Sequence, residues 1–378
     1  MSTRVAGYVR AVIPSFHVSH DRRQKVGTLV AMTAPAPEVE VLQPTGDELA
    51  SRPCFAAGIK AYQRAVDEVQ IGVNPRRAVL VTDLSPRMVS ALLSLDGQTP
   101  LGRLISRVGP QNADQLRSLL HELTDAGFLV DASEPRRSAR VAQAAVEVRG
   151  DGPLAAAVAV QLALAGIGSI AVTSNGTVTT DDVCGVYSPA DLGKQRRSVI
   201  EQAIRTANPS VAVGSAARDR SPDLVILTDA LVPAPEVVAQ LMQDKQEHLV
   251  VAARDGCGIV GPLVLPGRSA CLECFDRYRT DRDRCWPRVA NQLAGHVQRA
   301  DPATTQATAA YAVAQVPLSL QPSEARPPLL EATLELDLRE GETLRREWVA
   351  HPWCRCGVAT RWDVDITSSS HEFGGQRV

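Results

Sequence analysis

The sequence predicts an α/β protein in two folded parts: a small N-terminal module of short strands and three helices, then a larger domain alternating strands and helices around a mostly parallel sheet. Three observations carry this. Between positions 145 and 252, short apolar runs alternate with helical segments over short connections, the pattern of parallel strands joined by crossover helices. Between 85 and 126, three helix-length segments share one apolar period. Near the C-terminus, one CxxC and one CxC sit in Gly- and Pro-flanked turns. With 378 residues and 44% hydrophobic content, the chain can build more than one core.

Residues 1–50 are expected to be a disordered extension. Positions 1–31 carry Arg4, Arg10, Arg22, Arg23 and Lys25 against Asp21, without a sustained period. An Arg-rich, acid-poor opening also fits an organelle-targeting peptide, and Met32 offers an alternative translation start.

Residues 51–133 read as a winged-helix-like module. Val66, Val69, Ile71 and Val73, broken by Asn74-Pro75 and resumed at Ala78, signal a hairpin. Helices follow over 85–95, 99–108 and 112–126. Ser85-Pro86 and Thr99-Pro100 each place a capping hydroxyl before a first-turn proline, and Asn112 can cap the third helix. Leu92, Leu93, Leu101, Leu104, Ile105, Leu116, Leu119, Leu120 and Leu123 recur at helical spacing, and Phe128-Leu129-Val130 closes with a strand.

A charged linker spans 134–144. Beyond it, strands are predicted over 146–148, 170–172, 224–227 and 249–252, helices over 154–165, 195–206 and 235–242, and a further strand over 332–338. Residues 363–378 read as tail.

Charge and hydropathy exclude some functions. Forty Lys and Arg against 42 Asp and Glu give a formal charge of −2, which argues against a dedicated nucleic-acid binder. The longest apolar stretch, 154–165, contains Gln161 and falls short of the ~18 residues of a membrane span. Eight unevenly spaced cysteines without a secretory signal suit a reduced, cytoplasmic protein with a metal site better than a disulfide framework.

Two motifs could carry chemistry. Gly150-Asp151-Gly152-Pro153-Leu154-Ala155 satisfies G-x-G-x-x-G/A between a strand and a helix, where glycines let backbone amides approach a phosphate. Pro153 removes one amide, Asp151 adds a negative charge, and Val172-Thr173-Ser174 offers no acid for a ribose, so a nucleotide-binding fold is expected here without a working ATP site. Cys271, Cys274, Cys354 and Cys356 form a closed four-thiolate set suited to a structural zinc ion. Cys285 and His351 stand as reserve ligands, and Cys54, Cys184 and Cys257 as packing residues, with Cys257 a weak candidate nucleophile. Asp229, at the carboxyl end of a strand, could hold Mg²⁺ or cap the turn before Ala230. None of the seven histidines has a motif partner, and no catalytic residue is assigned.

Gly150-x-Gly152, the run from Ala190 to Arg196, Ala207-Asn208-Pro209, Asp223 to Asp229 and the paired cysteines resemble, in order, the landmarks of the ThiF/MoeB/ubiquitin-activating superfamily over residues 145–362. Leu92 to Gly97 and Leu119 to Leu129 resemble the PqqD-like RiPP recognition element, a winged helix that binds leader peptides. The pairing looks like the ThiF-like leader-peptide-binding partner of YcaO cyclodehydratases, which make thiazole- and oxazole-modified peptides. The resemblance implies a degenerate Rossmann-like domain in which Asp229 matches the family's magnesium aspartate and the four cysteines its zinc ligands, the last pair as CxC rather than CxxC. Thr173-Ser174-Asn175-Gly176 and Val186-Tyr187-Ser188-Pro189 stand where active members carry a ribose-binding acid and an ATP-contacting arginine element. The expected function is thus a non-catalytic adaptor with structural zinc and no bound ATP, its partners a leader peptide and a YcaO enzyme, with a homodimer allowed. The leader would pair with the hairpin at Val66, Val69, Ile71 and Val73 and lie on a helix face of Arg117, Leu120 and His121. The alternatives are an active adenylyltransferase acting on a peptide or carrier-protein C-terminus and a winged-helix transcription factor.

Overall fold

The computed structural model describes residues 9–11, 49–132, 136–320 and 327–358. The chain divides after Pro135 into two units.

The N-terminal unit contains β1 (Val9–Ala11), β2 (Pro53–Phe55), β3 (Ala61–Ala65), β4 (Glu68–Ile71), β5 (Val79–Val81), α1 (Pro86–Leu93), α2 (Leu101–Val108), α3 (Pro110–Asp125) and β6 (Leu129–Asp131). An antiparallel sheet runs in the order β1-β5-β4-β3, and β2 pairs with β6. Val69 and Ile71 of the sheet are buried with Met88, Leu92, Leu104, Leu116, Leu120 and Phe128 in one apolar cluster. Amphipathic helices of this length gain most of their stability from such packing rather than from propensity.

Ser85 caps α1 as its position predicts, accepting a hydrogen bond from the Met88 N–H. Thr99 does not cap α2: the N-cap is Pro100, without a side-chain bond. Asn112 does not cap α3, because Pro110 starts that helix directly after Gly109, and the Asn112 amide instead donates to Ser85 Oγ and the Val108 carbonyl. Val9–Ala11 fall within the extension expected to be disordered, yet they form a strand on β5. The other positions before 49, and the tail at 363–378, lie outside the described residues.

The C-terminal unit contains α4 (Arg136–Gln143), β7 (Ala145–Arg149), α5 (Pro153–Leu164), β8 (Ser169–Thr173), α6 (Arg196–Ala207), β9 (Ala212–Val213), α7 (Ser215–Arg218), β10 (Leu224–Thr228), α8 (Pro235–Gln243), β11 (His248–Arg254), β12 (Cys257–Val264), α9 (Leu272–Arg282), α10 (Trp286–Leu293), α11 (Pro302–Ser319), β13 (Ala332–Asp337) and β14 (Glu342–Glu347). Much of the linker predicted over 134–144 is therefore the helix α4. Among the described residues the sheet runs β9-β8-β7-β10-β11-β12-β13-β14, parallel from β9 to β11 and antiparallel from there to β14. This is a mixed α/β sheet of Rossmann-like layout.

The apolar α5 packs with α11 over the sheet. Its Gln161 side chain donates to the carbonyl and Oε1 of Gln306, so the one polar interruption of the predicted apolar run ties the two helices together. The strand order reverses between β7 and β10, and the crevice at the carboxyl ends of such a pair is where ligands enter open α/β sheets. Gly150 to Gly152 follow β7, and Asp229 follows β10, at that point.

Candidate functional site

At the switch point the Asp229 carboxylate reaches the N-terminus of α5. Asp229 is 1% exposed, with φ at +70°, a left-handed conformation that costs a non-glycine residue about 1 kcal/mol. Its oxygens accept hydrogen bonds from the backbone N–H groups of Gly152 at 3.1 Å, Leu154 at 3.1 Å and Ala155 at 3.3 Å, and Thr228 Oγ1 donates at 2.9 Å. Pro153 has no N–H to offer. The amides that would cradle a phosphate therefore already hold an anion from their own chain, with the helix dipole favouring it.

The two glycines serve this contact. A Cβ on Gly150 would lie 2.0 Å from Thr228 Oγ1, and one on Gly152 would lie 2.4 Å from Asp229 Oδ1 and 2.8 Å from Val297 Cγ1. Asp229 thus caps α5 rather than the turn before Ala230. Across the site, Val297 bridges to Ala230, and the Gln298 N–H donates to the Asp229 carbonyl. The pocket beside this point, lined by Pro153, Leu154, Gln298 and Arg299, holds about 10 Å³, room for about one water. Burial pushes the Asp229 carboxyl up to about 6, while Thr228 and the three amides pull the other way.

Further groups close the surroundings. Asp182 is fully buried and accepts from Arg196 Nη2 at 2.7 Å and Arg299 Nη2 at 3.0 Å. Although burial opposes it, the Thr179 N–H and both guanidiniums hold this carboxyl down at about 2. Asp151 accepts from the Asn175 N–H, and the buried Tyr187 hydroxyl has no hydrogen-bond partner among the described residues. Asp182 carries one signal in the sequence, the capping box from Thr179 to Asp182, which marks a turn rather than a site. Arg299 and Val297 left no local signal.

The cysteine site assembles as the spacing predicts. Cys271 opens α9, Cys274 lies in its first turn, and Cys354 and Cys356 follow in the turn after β14. Their sulfurs lie within 4.8 Å of one another, with 3.8 Å between Cys271 and Cys274, 3.6 Å between Cys271 and Cys354, and 3.6 Å between Cys274 and Cys356. Tetrahedral Zn–S bonds of about 2.3 Å separate sulfurs by about 3.8 Å, so the four could hold a zinc ion, with every position filled by protein. Without a cation the sulfurs share protons: the hydrogen bond from Cys271 draws Cys274 down to about 5, and burial pushes Cys354 up to about 12.

His351 is not a fifth ligand, since Nε2 lies 2.9 Å from Asp281 Oδ2 and Nδ1 accepts from the Trp353 N–H. Cys285 is exposed and outside the cluster. Cys54, Cys184 and Cys257 are half-buried, and burial raises each thiol above its ordinary value, which argues against Cys257 as a nucleophile.

The predicted peptide-binding residues separate. Arg117 and His121 lie at the surface of α3, paired with Asp114 and Asp125. Leu120 does not join them: it is 1% exposed and packs in the core. Val69 and Ile71 are fully buried, and β4 is flanked by β3 and β5, so it offers no free edge. Only Val66 and Val73 of that set are exposed. A Leu120→Asp change would therefore test folding of the unit rather than peptide contact.

No family model matches the chain. The vegetative protein HesA of Trichormus variabilis is 27% identical over 160 residues, 38% of this chain and 59% of its own length. Among solved structures, E. coli MccB with MccA-N7isoASN superposes with a TM-score of 0.60 at 14% identity, covering 81% of this chain and 99% of MccB. PaaA does so with a TM-score of 0.53 at 17% identity, covering 77% and 98%. These likenesses show the fold. Positions 136–378 are less than two thirds of the chain, so a match over 81% reaches into the N-terminal unit.

Proposed function

We propose that the chain is a non-catalytic adaptor that binds a precursor's leader peptide through its N-terminal unit and presents it to a YcaO cyclodehydratase for azoline formation. The observation that carries the non-catalytic part is the Asp229 carboxylate, whose oxygens already accept from the α5 amides of Gly152, Leu154 and Ala155. An adenylating site needs those amides, or the space above them, for phosphate.

The peptide part is supported by the fold's likeness to MccB, a Microcin C7 biosynthetic enzyme solved in complex with N-formylated MccA. The antiparallel sheet of the N-terminal unit suits strand addition, in which main-chain bonds give affinity and alternate side chains give specificity. On the C-terminal unit, an apolar cavity of about 510 Å³ between α8 and α9, lined by Val238, Met242, Ile259 and Phe275 with Arg279 and Arg355 at its polar end, offers the enzyme a docking surface next to the four cysteines.

The second reading is an active adenylyltransferase, favoured by the MccB structures solved with ATP and AMPCPP. Reconstitution tests the adaptor. A YcaO enzyme and its precursor peptide, supplied with ATP, should lose one water per ring by mass spectrometry only when this chain is added. Ring formation at full rate without the chain would remove the proposal.

A further inference from the structure

The N-terminal sheet has an odd member. Strands β3, β4 and β5 form a local meander whose connections lie within positions 66–78, whereas β1 comes from the far side of positions 12–52. It lies antiparallel on β5, with Val9 opposite Val81, Arg10 opposite Leu80 and Ala11 opposite Val79. An edge strand presents unpaired N–H and C=O groups that template pairing with any extended chain, and here that chain is the protein's own.

We propose that Val9–Ala11 are an intramolecular occupant of a peptide-docking edge at β5, and that an incoming peptide strand binds by displacing them. The other edge, β3, is a poorer docking edge, since it exposes Tyr62, Gln63, Arg64 and Ala65. β1 has the properties of a displaceable occupant. Its pairing with β5 covers only three residues, the short extreme for a strand. Its tether keeps it at high effective concentration, so it sets a threshold that weak or mismatched peptides do not cross. The sequence from Tyr8 to Ile13 places β-branched Val9, Val12 and Ile13 on either side of Arg10 and Ala11, which defines the class of competitor: an extended peptide with β-branched residues flanking one basic side chain.

This inference rests on the leader-binding reading only for the identity of the incoming peptide. The probe is therefore a fluorescein-labelled synthetic peptide of residues 5–15, followed by fluorescence anisotropy on the full chain. In a chain carrying Val9→Pro, Arg10→Pro and Ala11→Pro, the ladder donors of β1 are gone, and the probe should bind saturably, at least tenfold tighter than to the unmodified chain. A chain carrying Arg10→Cys and Leu80→Cys should form a disulfide between the two introduced cysteines on oxidation, exclude the probe, and readmit it after reduction. Equal probe affinity in the proline-bearing and unmodified chains, or no such disulfide, would overturn the proposal. If the probe behaves as expected while cognate leaders fail to bind the proline-bearing chain, the occupied edge stands and the leader-binding reading falls.

Discussion

Replacing Cys271 and Cys354 together by Ser should take the metal content from about one zinc per chain to none and unfold the end of the C-terminal unit that the cluster closes. Structural zinc contributes its binding free energy to folding, about 10–16 kcal/mol in small zinc modules, far more than any one side-chain contact here. The apolar cluster around the site is small, with Val264, Ala270 and Phe275 packed against the cysteines and half-buried Trp348 beside them, which leaves the His351–Asp281 pair and the Tyr278–His351 ring contact to hold the segment after β14 against α9. Metal analysis with tryptophan fluorescence reads the loss, because the Trp348 ring lies 4.7 Å from Phe275. The N-terminal unit, with its own core, should keep its hydrogen-exchange protection. Zinc retained at full stoichiometry in the double variant would contradict the assignment.

Asp229→Ala should be the most damaging single change away from the cysteines. It leaves the N–H groups of Gly152, Leu154 and Ala155 buried without an acceptor, at a cost of about 3–5 kcal/mol in total for such donors. Asp244→Ala, which removes a carboxylate that accepts from the exposed Gln240 amide, serves as the control and should change stability by less than about 0.5 kcal/mol.

Titration gives the same residue a second signature. The folded-state value of about 6 lies above the ordinary 3.8, so the favourable contribution from Asp229 protonation is fully present below 3.8 and lost as pH rises through 6. At about 1.4 kcal/mol per pH unit, the unmodified chain should gain up to about 3 kcal/mol relative to Asp229→Asn between pH 7 and pH 4. The zinc site is common to both chains and cancels in that difference. Urea unfolding at the two pH values measures it, and a pH-independent difference would count against the buried carboxylate.

The parts of the fold that sequence displays are those whose pattern is local. Leu224 to Leu227 and Leu249 to Ala252 read as strands because their apolar runs are uninterrupted, and both are buried in the parallel half of the sheet. β12 was missed because Gly258, Gly261 and Pro262 break its run, although Gly258 has a packing reason: a Cβ there would meet Thr308 Oγ1 at 1.8 Å. α9 was missed because its charged residues mask any period, its place being set by Cys271, Cys274 and Phe275. α11 hid in an Ala-, Thr- and Gln-rich stretch that is apolar only in context.

The two sites divide the same way. The cysteine spacing carries its own chemistry, so the cluster was legible. The Gly150-x-Gly152 motif was legible as a tight turn but not in purpose, because its partner Asp229 lies 77 positions away from Gly152 and crosses the switch point to reach it. Leu120 looked available because α3 carries apolar residues in adjacent positions, Leu119 and Leu120, and only packing shows that both face the core.

On the proposed reading, the Asp229 carboxylate holds the place at the head of α5 that a nucleotide phosphate would take. Calorimetric titration of the full, zinc-loaded chain with Mg·ATP tests it most directly. No saturable heat is expected up to millimolar nucleotide, and none should appear when a leader peptide is added. Stoichiometric binding at low micromolar Mg·ATP would contradict the account and restore the adenylyltransferase reading.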